Sequence, residues 1–115
     1  MGIAKRYLKT KPICKAKFTL PSEAAGSARR VHLVGDFNNW SATATPMKKL
    51  KDGSFTVVID LPQGEEYQYR YLIDDGRWEN DWNADKYVRS PLGDCDNSVI
   101  VVEAISGAVR ETVKI

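Results

Sequence analysis

The sequence has few of the residues on which several kinds of functional site depend. Among its 115 residues are two cysteines, Cys14 and Cys95, and one histidine, His32. Two cysteines provide neither a metal cluster nor a disulfide framework, and we expect two free thiols, which lie close together only if the first and last strands pair. His32 alternates with Val31 and Leu33 on a predicted strand, which favours a structural role over a catalytic one. The acidic loops lack the D-x-D-x-D-G calcium pattern, so the sequence predicts no metal site and no cofactor.

Long apolar segments are also missing. No apolar run approaches the roughly 20 residues that are needed to cross a bilayer, so we expect no membrane partner. Residues 1–18 carry basic residues throughout and lack the apolar core of a secretory signal, so we expect a cytoplasmic protein. The length and the 43% hydrophobic content fit one domain around a single core.

Acidic residues are absent from the N-terminal part of the chain. Six of the 17 lysines and arginines lie within residues 5–17 with no acid among them, which leaves 11 basic against 15 acidic residues elsewhere. The acidic remainder makes nucleic acid an unsuitable partner, because phosphate binding needs a basic face. A basic run of this kind is more often a solvated arm than a contact for an acidic partner, and both interpretations stay open.

Strand patterns dominate the rest of the chain. Residues 54–61 and 66–73 alternate apolar and polar side chains with a period of two. The second segment places Tyr67, Tyr69 and Tyr71 on one face, where we expect core packing with the hydroxyl groups at the rim. Further strands are predicted at residues 15–20, 30–35 and 98–102, with turns at 51–53, 62–64 and 74–76. Short strands at this spacing, with no convincing helix, predict an all-β, immunoglobulin-like antiparallel β-sandwich.

These patterns divide the chain into three parts. A basic N-terminal arm covers residues 1–14, and the β-sandwich covers residues 15–103. Residues 104–115 form either one more edge strand or a frayed tail.

The three tryptophans lie outside the predicted strand interiors, in polar loops. Trp40 ends a Gly-Asp-Phe-Asn-Asn-Trp run of turn-forming residues, Trp78 follows the turn at residues 74–76, and Trp82 lies among Glu, Asn and Asp. Burying an indole among such groups would leave them without hydrogen bonds, so we expect partial exposure. One such tryptophan would favour packing, whereas several favour a binding surface.

Sugar rings match a surface of this kind. An indole can cover the C–H face of a glucose ring, while Asn, Asp, Arg or Lys side chains bond the hydroxyls at its edge. Each stacked ring would contribute on the order of 1–3 kcal/mol, by analogy with bases that stack on aromatic side chains. Nucleobases also stack on tryptophan, but their charged backbone does not suit the acidic remainder of this chain.

Several short motifs, taken in order, resemble a known family. The run at residues 35–40 is similar to the G-x-F-N-x-W signature of the glycogen-binding β-sandwiches, carbohydrate-binding module family 48. That family includes the early-set N-terminal domains of isoamylases and branching enzymes and the glycogen-binding domain of the AMP-activated protein kinase β subunit. Further similar segments lie at residues 61–64, 67–74, 76–78, 81, 92–93 and 96–97.

The resemblance implies a site for α-1,4-linked glucan, such as glycogen, starch or maltooligosaccharides. By position, Trp40 and Trp78 resemble the family's stacking pair, and Asp75 lengthens the turn before the second of them. Arg70 stands where the family has a lysine that bonds sugar hydroxyls, and it keeps the charge in a planar geometry. Leu92 resembles the residue that projects from the last loop against a sugar ring.

Two further positions depart from the family pattern. The usual Asn-Asn pair is Asp96-Asn97 here, so a carboxylate that can only accept hydrogen bonds stands at the sugar-bonding position. Trp82 replaces a residue that is commonly proline, and it either adds a third stacking platform or packs.

Catalysis is a weaker interpretation than binding. Glycoside hydrolysis needs two carboxylates about 5–5.5 Å or about 6.5–9.5 Å apart, and we expect the loop acids to be solvated. These acids are Glu79, Asp81, Asp85, Asp94 and Asp96. We also expect no room for the catalytic barrel of the family's enzymes, and therefore a non-catalytic glucan-binding module. The alternative is a regulatory or adaptor subunit that packs on a glycogen-metabolising enzyme without binding sugar itself.

Overall fold

In the computed structural model, residues 2–91, 93 and 95–105 are described, and they form two antiparallel sheets. The strands are β1 Gly2–Tyr7, β2 Ile13–Leu20, β3 Val31–Gly35, β4 Lys48–Lys49, β5 Phe55–Pro62, β6 Glu65–Ile73, β7 Arg77–Glu79, β8 Lys86–Arg89 and β9 Asp96–Val102. The first sheet has the order β1-β2-β5-β4, and the second has the order β3-β6-β9-β8, with β7 paired to β6. The predicted all-β, immunoglobulin-like antiparallel β-sandwich is confirmed.

Two helical turns and the strands β1, β4, β7 and β8 lie outside the five strand segments predicted from the sequence. Helix α1 Ser22–Ala25 lies in the predicted connection after β2, and a 3-10 turn, Asp36–Asn38, follows β3. These turns and the strands β7 and β8 are too short to produce a clear periodic pattern. In the part of the chain that the structure describes, no helix is long and apolar enough to span a membrane.

The inward faces of both sheets meet in one core. Alternation along β2 buries Phe18 and Leu20 completely, and alternation along β6 buries Tyr67, Tyr69 and Tyr71, as predicted. The rings of Phe18 and Tyr69 join the two sheets in an edge-to-face contact, with centroids 5.0 Å apart and planes at 74°. Burial of each such side chain stabilises the fold by about 1.5–3 kcal/mol.

The hydroxyls of Tyr69 and Tyr71 do not reach the rim, which corrects the expectation from the sequence for these two, whereas the Tyr67 hydroxyl donates to the carbonyl of Pro62 at the end of β5 at 2.8 Å. Tyr69 and Tyr71 both donate to Oδ2 of Asp81, at 2.8 and 3.2 Å. The sequence analysis predicts that Asp81 is solvated, and this prediction is wrong, because only 2% of the residue is exposed. Burial raises the pKa of Tyr69 and Tyr71, and the charge of Asp81 raises it further. Strand alternation decides which face a ring takes, but the fold of the loop after β7 decides where its hydroxyl ends.

Residues 2–7 form strand β1, although the sequence predicts a basic arm over residues 1–14. Ile3 and Tyr7 pack against the core, and Lys5 donates to Asp85 at 2.7 Å and to the carbonyl of Val101 at 2.8 Å. Lys5 lies between Ile3 and Tyr7 on the inward face of this strand, so the sequence does not show the apolar alternation that indicates a strand. Residues 106–115 lie outside the described residues, so the strand or tail at residues 104–115 stays a prediction.

Both cysteines are free thiols, as expected. Cys14 is buried in β2 of the first sheet, and burial raises the pKa of its thiol. Cys95 directly precedes β9 of the second sheet. The first predicted strand is β2, and its pairing with the last strand β9 is not observed, because β2 pairs with β1 and β5 while β9 pairs with β6 and β8.

Candidate functional site

An open depression of about 440 Å³ lies on the outer face of the second sheet. Its lining comes from the loop after β3, from β6, β7 and β9, and from the loop before β9: Asp36, Trp40, Gln68, Arg70, Trp78, Ser90, Pro91 and Asn97. Four of these were predicted separately from the sequence: Trp40, Arg70, Trp78 and Asn97. The structure therefore brings both proposed stacking residues and two proposed polar contacts to one surface.

The loop after β3 explains why its sequence has glycine, phenylalanine and asparagine at fixed positions. Gly35 lies so close to β6 that a Cβ atom there would come within 2.4 Å of the carbonyl oxygen of Gln68. Phe37 packs inward, with its ring centroid 5.9 Å from that of Phe18. The Asn38 side chain accepts from the N–H of Gly35 at 3.1 Å and donates to the carbonyl of Leu33 at 2.9 Å. These contacts hold the loop rigidly at the edge of the depression.

Trp40 stands on this loop in an unusual backbone conformation. Asn39 and Trp40 both have φ of 57°, in the left-handed region, which costs on the order of 1–3 kcal/mol for a residue that is not glycine. The backbone N–H of Trp40 donates to the carbonyl of Gly35 at 2.8 Å, and the indole Nε1 of Trp40 donates to Asp36 Oδ1 at 2.8 Å. The other carboxylate oxygen of Asp36 accepts from the N–H of Gln68 at 2.8 Å. Asp36 thus connects the indole to β6 while 36% of the tryptophan remains exposed.

Trp78 is placed by a tight hairpin between β6 and β7. Asp74 and Asp75 have φ of 52° and 61°, and the N–H of Gly76 donates to the carbonyl of Ile73 at 3.1 Å, as in a type I′ turn. The hairpin register places Trp78 beside a β6 residue that faces outward, and 46% of the tryptophan is exposed. Backbone N–H groups of residues 29 and 30 donate to Asp74 and hold the pKa of its carboxyl below the ordinary value.

Arg70 lies where β6 changes its pairing partner from β9 to β7. Its Nε donates to Asn97 Oδ1 at 2.5 Å, and its Nη2 donates to the sulfur of Cys95 at 2.7 Å. The amide of Asn97 in turn donates to Gln68 Oε1 at 2.9 Å. The guanidinium carries more N–H donors than these two bonds use, so it can still donate to a ligand.

Sequence reasoning missed five residues of this site: Ser90 and Pro91, which line the depression, and Gln68, Asp36 and Cys95. Gln68 has a signal in the sequence, because it lies two residues before Arg70 and therefore on the same face of β6. Asp36 and Cys95 have no such signal, since their roles depend on how the loops pack against β6.

Of the other predicted site residues, two lie beside the main depression and one lies outside the described residues. Asp96 lines a smaller depression of about 200 Å³, together with Arg70 and Trp78. Trp82 is 52% exposed, and its Nε1 donates to Glu79 Oε2 at 3.0 Å. Leu92 lies outside the described residues.

The acids that were considered as a catalytic pair have separate partners. Glu79 accepts from Trp82, Asp81 from two tyrosines, and Asp85 from Lys5, while Asp96 lies 3.6 Å from Arg89. Asp94 is outside the described residues. Within the described ranges, no group of three or more His, Cys, Asp or Glu side chains is arranged to hold a metal ion.

Comparison with known proteins identifies similar sequences. The profile of the family described as carbohydrate-binding module 48 (isoamylase N-terminal domain) matches residues 18–88. The 5'-AMP-activated protein kinase subunit beta-1 of Sus scrofa is 38% identical over 76 residues, which are 66% of this chain and 57% of that protein. The beta-1 subunit of Rattus norvegicus is 37% identical over 76 residues, 66% of this chain and 26% of that protein. The beta-2 subunit of Mus musculus is 35% identical over 91 residues, 79% of this chain and 31% of that protein.

The chain therefore spans 57% of the first of these relatives and 26–31% of the other two. The family profile covers more than half of the chain and includes the loop at residues 35–40, Arg70 and Trp78. The resemblance inferred from the sequence motifs is confirmed, and the chain belongs to the carbohydrate-binding module 48 family.

Proposed function

We propose that the protein is a non-catalytic module that binds α-1,4-glucan, such as glycogen, starch or maltooligosaccharide, across Trp40 and Trp78. The observation that carries this proposal is the shared depression, where two exposed indoles and the guanidinium of Arg70 lie on one surface. The depression combines two indoles with the polar side chains of Gln68 and Arg70, which is the composition that suits a sugar ring.

Stacking is favoured because the positions of both tryptophans are set by the fold. Asp36 holds the indole of Trp40, so little of its side-chain entropy is lost when a glucan binds, and the β6–β7 hairpin fixes the backbone position of Trp78. Each stacked ring then contributes on the order of 1–3 kcal/mol, from which the cost of association is subtracted.

Polar contacts would orient the glucan on the two rings. Arg70 donates to ring hydroxyls, and Asp96 accepts from hydroxyls in the adjacent depression. Asn97 is 3% exposed and bonded to Arg70, so its role is to position the guanidinium. Trp82 serves as a third platform for longer chains, and Leu92 contacts a sugar ring as the family resemblance implies.

A second candidate function is a regulatory or adaptor role without sugar binding. The relatives are named as subunits of 5'-AMP-activated protein kinase, and this observation favours a role as a subunit that packs on a partner enzyme. The four loop acids with separate partners fit either non-catalytic role.

Isothermal titration with maltoheptaose and β-cyclodextrin tests the proposal. We expect saturable heat with the unaltered protein, a loss of about tenfold or more in affinity for Trp40→Ala and for Trp78→Ala, and an unchanged affinity for Val58→Ala on the opposite sheet. Cellohexaose is the linkage control and should bind more weakly. If the folded, unaltered protein releases no binding heat at millimolar maltoheptaose, glucan binding is refuted and the adaptor role is left.

A further inference from the structure

The outer face of the first sheet carries an excess of positive charge. Its outward-facing side chains, here called the basic face, are Ala4, Arg6, Ile13, Lys15, Lys17, Thr19, Lys48, Thr56, Val58, Asp60 and Pro62. Four of them are cations and one is a carboxylate, whereas the chain outside its N-terminal run is acidic. The first sheet is separated from the glucan-binding depression by the core, so the two surfaces lie on opposite sides of the sandwich.

The cations of the basic face are not balanced by the fold. Arg6 lies directly opposite Lys15 across the β1–β2 pair, which is an unfavourable arrangement of like charges. Lys15 has a partner in Asp60, with Nζ and Oδ1 2.9 Å apart. Within the described ranges, no ion pair engages Arg6 or Lys17. Asp60 compensates Lys15 alone, so the charges of Arg6 and Lys17 remain available to a negatively charged ligand.

Apolar surface lies among these cations. A depression of about 310 Å³ is lined by Ala4, Lys5, Arg6, Lys15, Lys17 and Val58. Val58 is 55% exposed and lies opposite Lys17 in the β2–β5 register. The combination fits a ligand that has both carboxylates and aliphatic side chains.

We propose that the basic face binds an extended acidic segment of a partner protein. Its carboxylates meet Arg6 and Lys17, and its aliphatic side chains cover Ala4 and Val58. An extended chain turns every second side chain to the same side, about 7 Å apart, so one side of a segment can carry acids at a spacing that suits cations on a β-sheet. Long-range attraction between the acidic segment and the basic face also accelerates their encounter.

Other occupants fit the basic face less well. None of the outward-facing residues of the basic face is aromatic, so nucleic acid would find no stacking platform, and Asp60 would repel its phosphates. Residues 106–115 of this chain contain one acid and two bases, so their charge does not complement the basic face. If a second copy of the chain occupied the basic face instead, the protein would self-associate, which sedimentation measures.

Fluorescence anisotropy tests the proposal with a labelled peptide of two Glu-Ser-Glu-Ser-Val-Ser repeats, which places Glu and Val on the same side of an extended chain. The peptide is titrated with the full chain at about 20 mM and about 300 mM salt, because attraction between exposed charges weakens as the screening length shortens. The matched control peptide has Gln in place of Glu. The variant is Arg6→Glu with Lys17→Glu, which reverses two charges, and its control is Lys51→Glu, which reverses one charge outside the basic face, in the β4–β5 turn. Because Arg6→Glu replaces a like-charge pair with an opposite-charge pair, the fold should be retained, and Arg6→Gln with Lys17→Gln provides a milder second variant.

We expect the Glu peptide to bind at low salt and to lose about tenfold or more in affinity in the double charge-reversal variant, with Lys51→Glu within about twofold. The Gln peptide should not bind. Equal affinity in the variant and the unaltered protein, or no binding at low salt, would overturn the proposal. Tighter binding of an RNA oligonucleotide of equal charge would also overturn the proposal. The same holds if the unaltered protein self-associates in sedimentation and Arg6→Glu with Lys17→Glu abolishes that self-association. Peptide affinity should be unchanged in Trp40→Ala, so this result is independent of whether glucan binds.

Discussion

Removal of the carboxylate that holds Trp40 tests whether a fixed indole is needed for glucan binding. In Asp36→Asn, the amide provides one acceptor oxygen and one N–H donor in place of two acceptor oxygens. Only one of the two bonds, to the indole at 2.8 Å or to the N–H of Gln68 at 2.8 Å, can therefore be kept. The side chain does not itself stack on a sugar ring, so the expected effect acts through the position of Trp40.

The magnitude follows from the geometry of Asp36. A hydrogen bond to a charged group contributes about 1.5–3 kcal/mol when shielded from water, and Asp36 is exposed, so we expect about 1 kcal/mol of lost binding free energy. That corresponds to an increase of about fivefold in Kd. Stability should change little, because the core contacts of Phe37 are untouched.

The assay is isothermal titration with a short ligand, maltotetraose, with urea unfolding as the check of the fold. Glu79→Gln is the matched control, because it alters the equivalent carboxylate bond to Trp82, outside the main depression. We expect Glu79→Gln to change the Kd by less than about twofold. Equal affinities for Asp36→Asn and the unaltered protein would refute the argument that this bond orients the indole, and so would equal losses in both variants.

Three predictions concern stability. Asp81→Ala leaves two buried tyrosine hydroxyls without their acceptor and should lower the free energy of unfolding by about 3–5 kcal/mol, measured by urea unfolding; a loss below about 1 kcal/mol would contradict this role. Gly35→Ala places a Cβ atom 2.4 Å from the Gln68 carbonyl and should cost about 1–3 kcal/mol, while Gly76→Ala, whose nearest atom is 3.8 Å away, should cost about 1 kcal/mol or less; equal costs would argue against the close approach. The pKa of Asp74 lies below its ordinary value of 3.8, so its contribution is present above about pH 4 and is lost as the pH falls through the folded-state pKa. Asp74→Asn should therefore flatten the decline of the urea midpoint below about pH 4, and an unchanged acid limb would contradict this.

Part of the candidate site was predictable because its signals are local. The motif at residues 35–40 and the alternation along β6 place Trp40 and Arg70 in recognisable contexts, and the turn at residues 74–76 precedes Trp78 directly. Each of these signals depends on residues within a few positions of one another, which is the range over which turns and strand periods act.

Other parts were not predictable because their signals are not local. Asp36 ties the Trp40 loop to β6 through a bond to Gln68, 32 positions away, and Cys95 holds Arg70 from 25 positions away, so both depend on how distant segments pair. Asp81 reads as a solvated loop acid beside asparagine and tryptophan, yet its burial follows from the path that the chain takes after β7. Lys5 likewise hides strand β1, because its partner Asp85 is 80 positions away.

The sequence by itself determined the all-β sandwich, the inward face of the central strands and the family resemblance, because a period of two and turn residues act over short distances. The sequence also shows the basic run at residues 5–17, but it does not show where on the fold these charges lie. Only the tertiary structure decided that part of this run becomes an outward face of the first sheet, opposite the tryptophans. The pairing register between distant strands decides which charges and rings share a surface, and register is set when both sheets close over one core.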